Sequence, residues 1–267
     1  MSEYHIHPET GDPGKCSAVK GKCPFGGIHY ASAEEARAGY EEIMANPFGS
    51  PLAQKQLHEE KLLPELEAYV TDGPLGRFLN HPLVQDMTVD AMPGFANMRL
   101  REKKKRLAEA LEKKNWSQYI YLHERPYRLD ALSELLDQHE PENPDELIRE
   151  AWIDSENIHQ GFDTWYNLIE SYGVAMTEED AEVYKNLPDQ VTVYRGCSPL
   201  NEEGFSWSLD KEKAQWFATR FSRNNSKVLE VTVPKSEVIA YLGGRGESEI
   251  LLYPDNLEDY KPKQIKI

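Results

Sequence analysis

Val191-Thr192-Val193-Tyr194-Arg195 is the stretch on which the reading of the fold turns. Its β-branched and aromatic residues alternate with a period of two, whereas the chain before Pro188 is organised on a period near 3.6. From here onward the same alternation predicts strands at Gly204 to Ser208, Val228 to Val233, Val238 to Leu242 and Ser248 to Tyr253. One helix interrupts them: Asp210 is a good N-cap, and Ala214, Phe217, Ala218 and Phe221 fall on one buried stripe. Working back toward the N-terminus, helices are predicted at Thr177 to Lys185, Gly161 to Tyr172, Asn143 to Trp152, Tyr127 to Gln138 and Phe95 to Trp116. Thr71 to Pro93 is punctuated by Gly73-Pro74, Pro82 and Pro93 and reads as a linker. Leu52 to Tyr69 reads as a helix bent or split at Pro64, and Ser32 with Glu35 forms a capping box for a helix over Ala33 to Met44. Helices first and strands afterwards is the ordering of an α+β chain.

The bulk numbers set limits on partners. With 46 acidic against 30 basic residues, the net charge of −16 disfavours general binding to nucleic acid or acidic lipid. The run Arg99 to Lys114 is a local basic exception, best read as a solvated helix face, with a phosphate-binding patch as the sharper alternative. No segment approaches the ~20 apolar residues of a membrane span, the N-terminus has no signal-peptide pattern, and three cysteines are too few for a disulfide framework. A cytoplasmic setting is expected.

Three short motifs lie at strand edges in the last third: Tyr194-Arg195-Gly196, Phe205-Ser206-Trp207-Ser208 and Glu247-Ser248-Glu249, the last after the turn Gly243-Gly244-Arg245-Gly246. Singly, Arg195 reads as a surface ion pair, the serines as ordinary strand residues and the two acids as a solvent-facing edge. In this order and within sixty residues, they resemble the Arg, Ser-x-Ser, Glu-x-Glu signature of arginine-type mono-ADP-ribosyltransferases. The resemblance covers roughly Gln190 to Pro254 and reaches back at most over the helices from Asn143. It implies an ADP-ribosyltransferase-like split β-sandwich with packed helices, over residues 141–267, preceded by a mainly helical N-terminal region at 46–140 with its linker near 71–94. Trp207 departs from the family's Ser-Thr-Ser, and Cys197 has no role in it.

The chemistry needs these residue types. Cleaving the nicotinamide–ribose bond of NAD, the substrate, generates an oxocarbenium-like centre, so a carboxylate beside the sugar stabilises the developing charge, a role that Glu249 matches. Arg195 offers a planar charged fork for the pyrophosphate or adjoining ribose. Ser206, and less strongly Ser208, are expected to hold the carboxylate and the nicotinamide ribose. Strand alternation puts Glu247 on the same face as Glu249, where it can orient or deprotonate an acceptor, and the resemblance makes this first acid the mark of transfer to arginine on a target protein. The Arg-Gly pair implies that Gly196 lets the backbone approach the nicotinamide amide. Tyr241 corresponds to a target contact. Transfer to a nucleic-acid base, plain NAD hydrolysis and a non-catalytic phage structural or adaptor protein are the alternatives.

Residues 1–45 form a Gly/Cys/His-rich module in which Cys16 and Cys23, with His29 a safer partner than His5 or His7, can make a structural zinc knuckle. A loop with free thiols fits the spacing equally well. The segment from Cys16 through Cys23-Pro24-Phe25-Gly26-Gly27 to the acidic helix start resembles N-terminal modules of some bacteriophage-encoded proteins, including effector-like ones.

Overall fold

The computed structural model describes residues 3–18, 22–74, 76–87, 89–155, 158–220 and 225–266. The chain forms two compact units, Met1–Tyr127 and Arg128–Ile267.

The first unit begins with a small antiparallel sheet of β1 (Glu3–Ile6), β2 (Pro13–Cys16) and β3 (His29–Tyr30), in the order β2-β1-β3. Helix α1 (Ala33–Ala45) follows, capped as its sequence predicts: Glu35 N–H donates to Ser32 Oγ at 3.1 Å, and Ala31 N–H donates to the Glu35 carboxylate at 3.1 Å. The expected split around Pro64 is found, giving α2 (Pro51–Glu59) and α3 (Pro64–Glu67). The segment read as a linker is instead an antiparallel sheet of β4 (Val70–Gly73), β5 (Gly76–His81) and β6 (Val84–Asp86). Its prolines and glycines punctuate the hairpins, while buried Leu79 and Val84 join Leu66 and Leu100 in a core of their own. Helices α4 (Pro93–Glu112) and α5 (Trp116–Leu122) complete the unit. On α4 three cations of the basic run meet acids: Arg99 and Lys103 reach Glu124, and Lys104 reaches Glu65.

In the second unit four helices come first: α6 (Arg128–Gln138), α7 (Pro144–Asp154), α8 (Phe162–Tyr172) and α9 (Glu178–Lys185). Then follow β7 (Gln190–Cys197), β8 (Ser206–Ser208), α10 (Lys211–Thr219), β9 (Lys227–Pro234), β10 (Val238–Leu242), β11 (Glu249–Leu252) and β12 (Lys263–Ile265). Mixed helix and small antiparallel sheets agree with the α+β ordering. The six strands run β10-β11-β8-β7-β9-β12. Strands β7 and β9 share eight paired positions, but β7 meets β8 at one pair alone, Tyr194 with Ser208. The sheet therefore opens between β7 and β8, leaving room at its middle. Asp210 caps α10 as expected, accepting from Glu212 and Lys213 N–H, and Ala214 and Ala218 are buried; Phe221, the last residue of the predicted stripe, lies outside the described residues. No described helix is long and apolar enough to cross a membrane.

Candidate functional site

In the second unit a cavity of about 280 Å³ lies beside the opening between β7 and β8, and Arg195, Gly196, Ser206, Ser208, Glu247 and Glu249 all line it. The motifs read from the sequence therefore meet in one hollow. How each residue arrives there differs from the expectation in several respects.

Glu249 opens β11 opposite Ser208 of β8 and is 4% exposed. Its Oε1 accepts a hydrogen bond from the indole Nε1–H of Trp152 on α7 at 3.1 Å, and the Ser206 hydroxyl acts to favour its ionised form. Burial pushes its proton affinity above the ordinary carboxylate range; Ser206, the Trp152 bond and the charge of Arg245 oppose that shift, and Glu247 adds to it. The positioning role of Trp152 was not legible, because a fully buried tryptophan on a helix has a sufficient explanation in packing. It does pack, edge-on to Trp165 at 5.1 Å and to Phe205 at 6.0 Å.

Glu247 reaches the cavity by a route other than strand alternation. It precedes β11, and Ser248 between the two acids has φ +46°, a left-handed conformation unusual for a residue with a side chain. The Arg245 guanidinium meets Glu247 Oε2 at 3.1 Å and donates to Ile153 O at 2.6 Å, so the glycine-rich turn is pinned to the end of α7. A second anchor is Asp180, 5% exposed, which accepts from Gly243 N–H at 2.9 Å and pairs with Arg149 at 3.4 Å.

Arg195 is held by contacts that its sequence context does not display. It shares the core-facing side of β7 with Val191, Val193 and Cys197, and its guanidinium donates to main-chain carbonyls of the next loop. Nε bonds Glu202 O at 3.1 Å, Nη1 bonds Ser206 O at 2.5 Å and Nη2 bonds Asn201 O at 2.7 Å. The planar fork expected to grasp a pyrophosphate here clamps the loop that carries Ser206 into β8. Gly204 makes room for it, since a Cβ there would fall 2.3 Å from Arg195 Nη2. Burial lowers the proton affinity of Arg195, while Cys197 and Glu249 act to raise it.

Gly196 is likewise explained by packing. A Cβ would sit 1.9 Å from Ala214 O and 2.6 Å from Ala218 N, so its bare backbone lets α10 press onto β7. Ser208, 6% exposed, donates to Glu247 O at 2.6 Å and accepts from Asp210 N–H at 3.0 Å, which ties the acidic turn to the start of α10. Of the two serines, Ser206 is thus the one whose hydroxyl addresses the carboxylate. Trp207 points to the core face, 3% exposed, and Cys197 is 2% exposed in the same core. Tyr241, expected as a target contact, packs half-buried against that core. Phe162, Phe205 and Phe217 give the cavity an aromatic side, and Arg220, stacked on the Phe217 and Trp216 rings, brings a further positive charge to its lining.

In the first unit, the Gly/Cys/His-rich N-terminal segment includes the β2-β1-β3 sheet, and it gathers His5, Cys16, Cys23 and His29. The donor atoms of these four lie within 4.8 Å of one another. His5, set behind His29 in the sequence reading, belongs to the cluster because it pairs directly across the sheet with His29. His7 does not belong: its Nδ1 accepts from Glu9 N–H at 3.3 Å.

No protein-family model, curated protein or solved structure gives a match to this chain.

Proposed function

We propose that the second unit is an NAD-cleaving mono-ADP-ribosyltransferase site that transfers ADP-ribose to an arginine side chain. The observation that carries the reading is the meeting of Arg195, Ser206, Glu247 and Glu249 around one cavity at the opening of the six-stranded sheet. At about 280 Å³ the cavity is at the small end of ligand pockets, which run from ~300 Å³ upward; it suits the nicotinamide and its ribose, with the adenosine end lying outside.

On this reading, the nicotinamide stacks against the aromatic side and the ribose lies over Glu249. As the glycosidic bond lengthens, positive charge grows on the ribose, and a carboxylate fixed by Trp152, its ionised form favoured by Ser206, stabilises it without having to reorganise. Arg195 preorganises the wall from Asn201 to Ser206, and Arg220 and Arg245 add positive charge to the lining on the side given to the pyrophosphate. Glu247 supports an arginine acceptor, because it already holds one guanidinium, that of Arg245, at 3.1 Å. An incoming arginine would displace Arg245, which sits in a turn with Gly243, Gly244 and Gly246 around it.

The test is release of nicotinamide from NAD by the purified chain, together with labelling of an arginine-rich protein acceptor by labelled NAD. Glu247→Gln is expected to keep nicotinamide release and to suppress transfer. Absence of nicotinamide release from the wild-type chain ends the reading, and equal loss of both activities in Glu247→Gln makes Glu247 a structural residue.

A further inference from the structure

We infer that the first unit holds a structural zinc ion on His5, Cys16, Cys23 and His29, a site independent of the NAD chemistry proposed for the second unit. The backbone register alone brings three of the four together. His5 pairs with His29 across β1 and β3, and with Gly14 across β1 and β2; Cys16 is two residues beyond Gly14, so all three side chains leave the same face of the sheet. Gly14 lies directly beneath the His5 ring, where even a Cβ would be in contact with Nε2 at 3.4 Å.

Cys23 reaches this face from a turn that the chain builds at some cost. Gly26 and Gly27 both have positive φ, +65° and +74°. A Cβ on Gly26 would fall 2.3 Å from Glu59 O, and one on Gly27 would fall 2.6 Å from Gln56 Nε2. The turn is docked on the end of α2 by Lys61 N–H to Phe25 O and Gly27 N–H to Glu59 O, each 2.9 Å. Within it, Gly26 N–H donates to Cys23 O at 3.3 Å, which closes the turn directly after the cysteine. His5 Nδ1 lies 3.3 Å from the Cys23 sulphur.

The donor set selects the metal. Two thiolates and two imidazoles in a closed site suit tetrahedral zinc, for which bond lengths of ~2.0–2.3 Å place neighbouring donors roughly 3.3–3.8 Å apart. The observed maximum of 4.8 Å requires only small side-chain rotations to reach that geometry. An ion would also supply what this segment lacks. Around the cluster the sheet presents Gly, Pro, Lys and Glu residues, with Ile6 its one buried aliphatic residue among those described, too little apolar surface to hold three short strands together.

The experiment uses the full chain, purified without chelators and kept reduced by a phosphine. Elemental analysis is expected to give one zinc per chain. Replacement by cobalt is expected to give the intense visible bands of a tetrahedral ion with thiolate charge transfer. Cys23→Ser and His5→Gln are expected to lose the metal, and His7→Gln to retain it. Because a ligand variant can lose zinc simply by unfolding, zinc release is also followed on the wild-type chain during titration with a mercurial, where thiol modification and zinc release should run in step. A reduced wild-type chain that takes up neither zinc nor cobalt overturns the inference. So does a cobalt spectrum without thiolate bands, or a Cys16–Cys23 disulfide in the chain as isolated. None of these outcomes bears on nicotinamide release.

Discussion

Replacing Glu249 by glutamine should make the protein more stable and, on the proposed function, nearly inactive. The carboxylate is 4% exposed, and its raised proton affinity means that the folded chain holds the ionised form less well than water does, despite Trp152 and Ser206. Glutamine keeps the shape and an acceptor oxygen for the Trp152 N–H, and removes the buried charge. Relief of a strained functional site is commonly worth ~0.5–2 kcal/mol, so about 1 kcal/mol is expected, or a rise of roughly 3 °C in the melting of the second unit. The pH dependence carries the sign. Below the unfolded carboxylate value of ~4.3, wild type and variant are both neutral at this position and melt alike. As pH rises from there through the higher folded value, ionisation favours the unfolded wild-type chain, the variant does not titrate, and the gap opens to a plateau. Nicotinamide release should fall by about 10²–10³, the effect of removing one preorganised electrostatic group. Thermal melts from pH 4 to 9 beside the activity assay measure both. A variant less stable than wild type at neutral pH would refute the account of Glu249 as a poorly solvated charge.

Trp152→Phe removes the N–H bond at 3.1 Å while leaving a ring in the buried slot. A hydrogen bond to a charged group is worth ~1.5–3 kcal/mol, an upper limit of about one to two pH units, so the acid limb of kcat/KM for nicotinamide release should move upward by about one unit. An unmoved limb with a lowered melting temperature would reduce Trp152 to packing. Gly196→Ala must push α10 off β7, since the new Cβ meets Ala214 O at 1.9 Å; a loss of ~1–3 kcal/mol in denaturant unfolding is expected. Unchanged stability with weakened NAD binding would instead restore the reading of Gly196 as a ligand-approach residue.

The legible part of the fold was the part written in local periodicity. Val238 to Leu242 matches its strand at both ends, and the Ser32 and Asp210 caps stand where their side chains can reach free N–H groups. The illegible parts were settled by pairing between segments. Pro74 and Pro82 mark the turns of a three-stranded meander, and only the pairing of Leu79 with Asp86 and of Val70 with Leu79 distinguishes a meander from a linker. His5 followed the same logic: its distance in sequence from His29 says nothing, and the register across β1 and β3 says everything. Residue types at the candidate site were legible because hydroxyls, acids and an arginine at strand edges are chemically conspicuous. Their hydrogen-bond partners were not, because Asn201, Glu202 and Ser206 engage Arg195 through carbonyls that every residue possesses.

That last point reshapes the role of Arg195. Three of its guanidinium nitrogens are directed at carbonyls of a loop that has no helix or strand of its own between β7 and β8, and Gly204 is bare where the guanidinium passes. A lysine at 195 would supply the charge and three donors, but all from one nitrogen, and it lacks the planar fork whose separate nitrogens reach Asn201, Glu202 and Ser206 at once. The requirement for arginine therefore follows from the loop, before any ligand is considered. Since Ser206 at the end of that loop pairs with Leu251 of β11, and its hydroxyl acts to favour the ionised Glu249, the clamp also bears on the strand that carries the acid. On the proposed function, Arg195 acts on the ribose through Ser206 and Glu249, as a positioning residue whose own charge lies beside the reacting centre and not on the pyrophosphate.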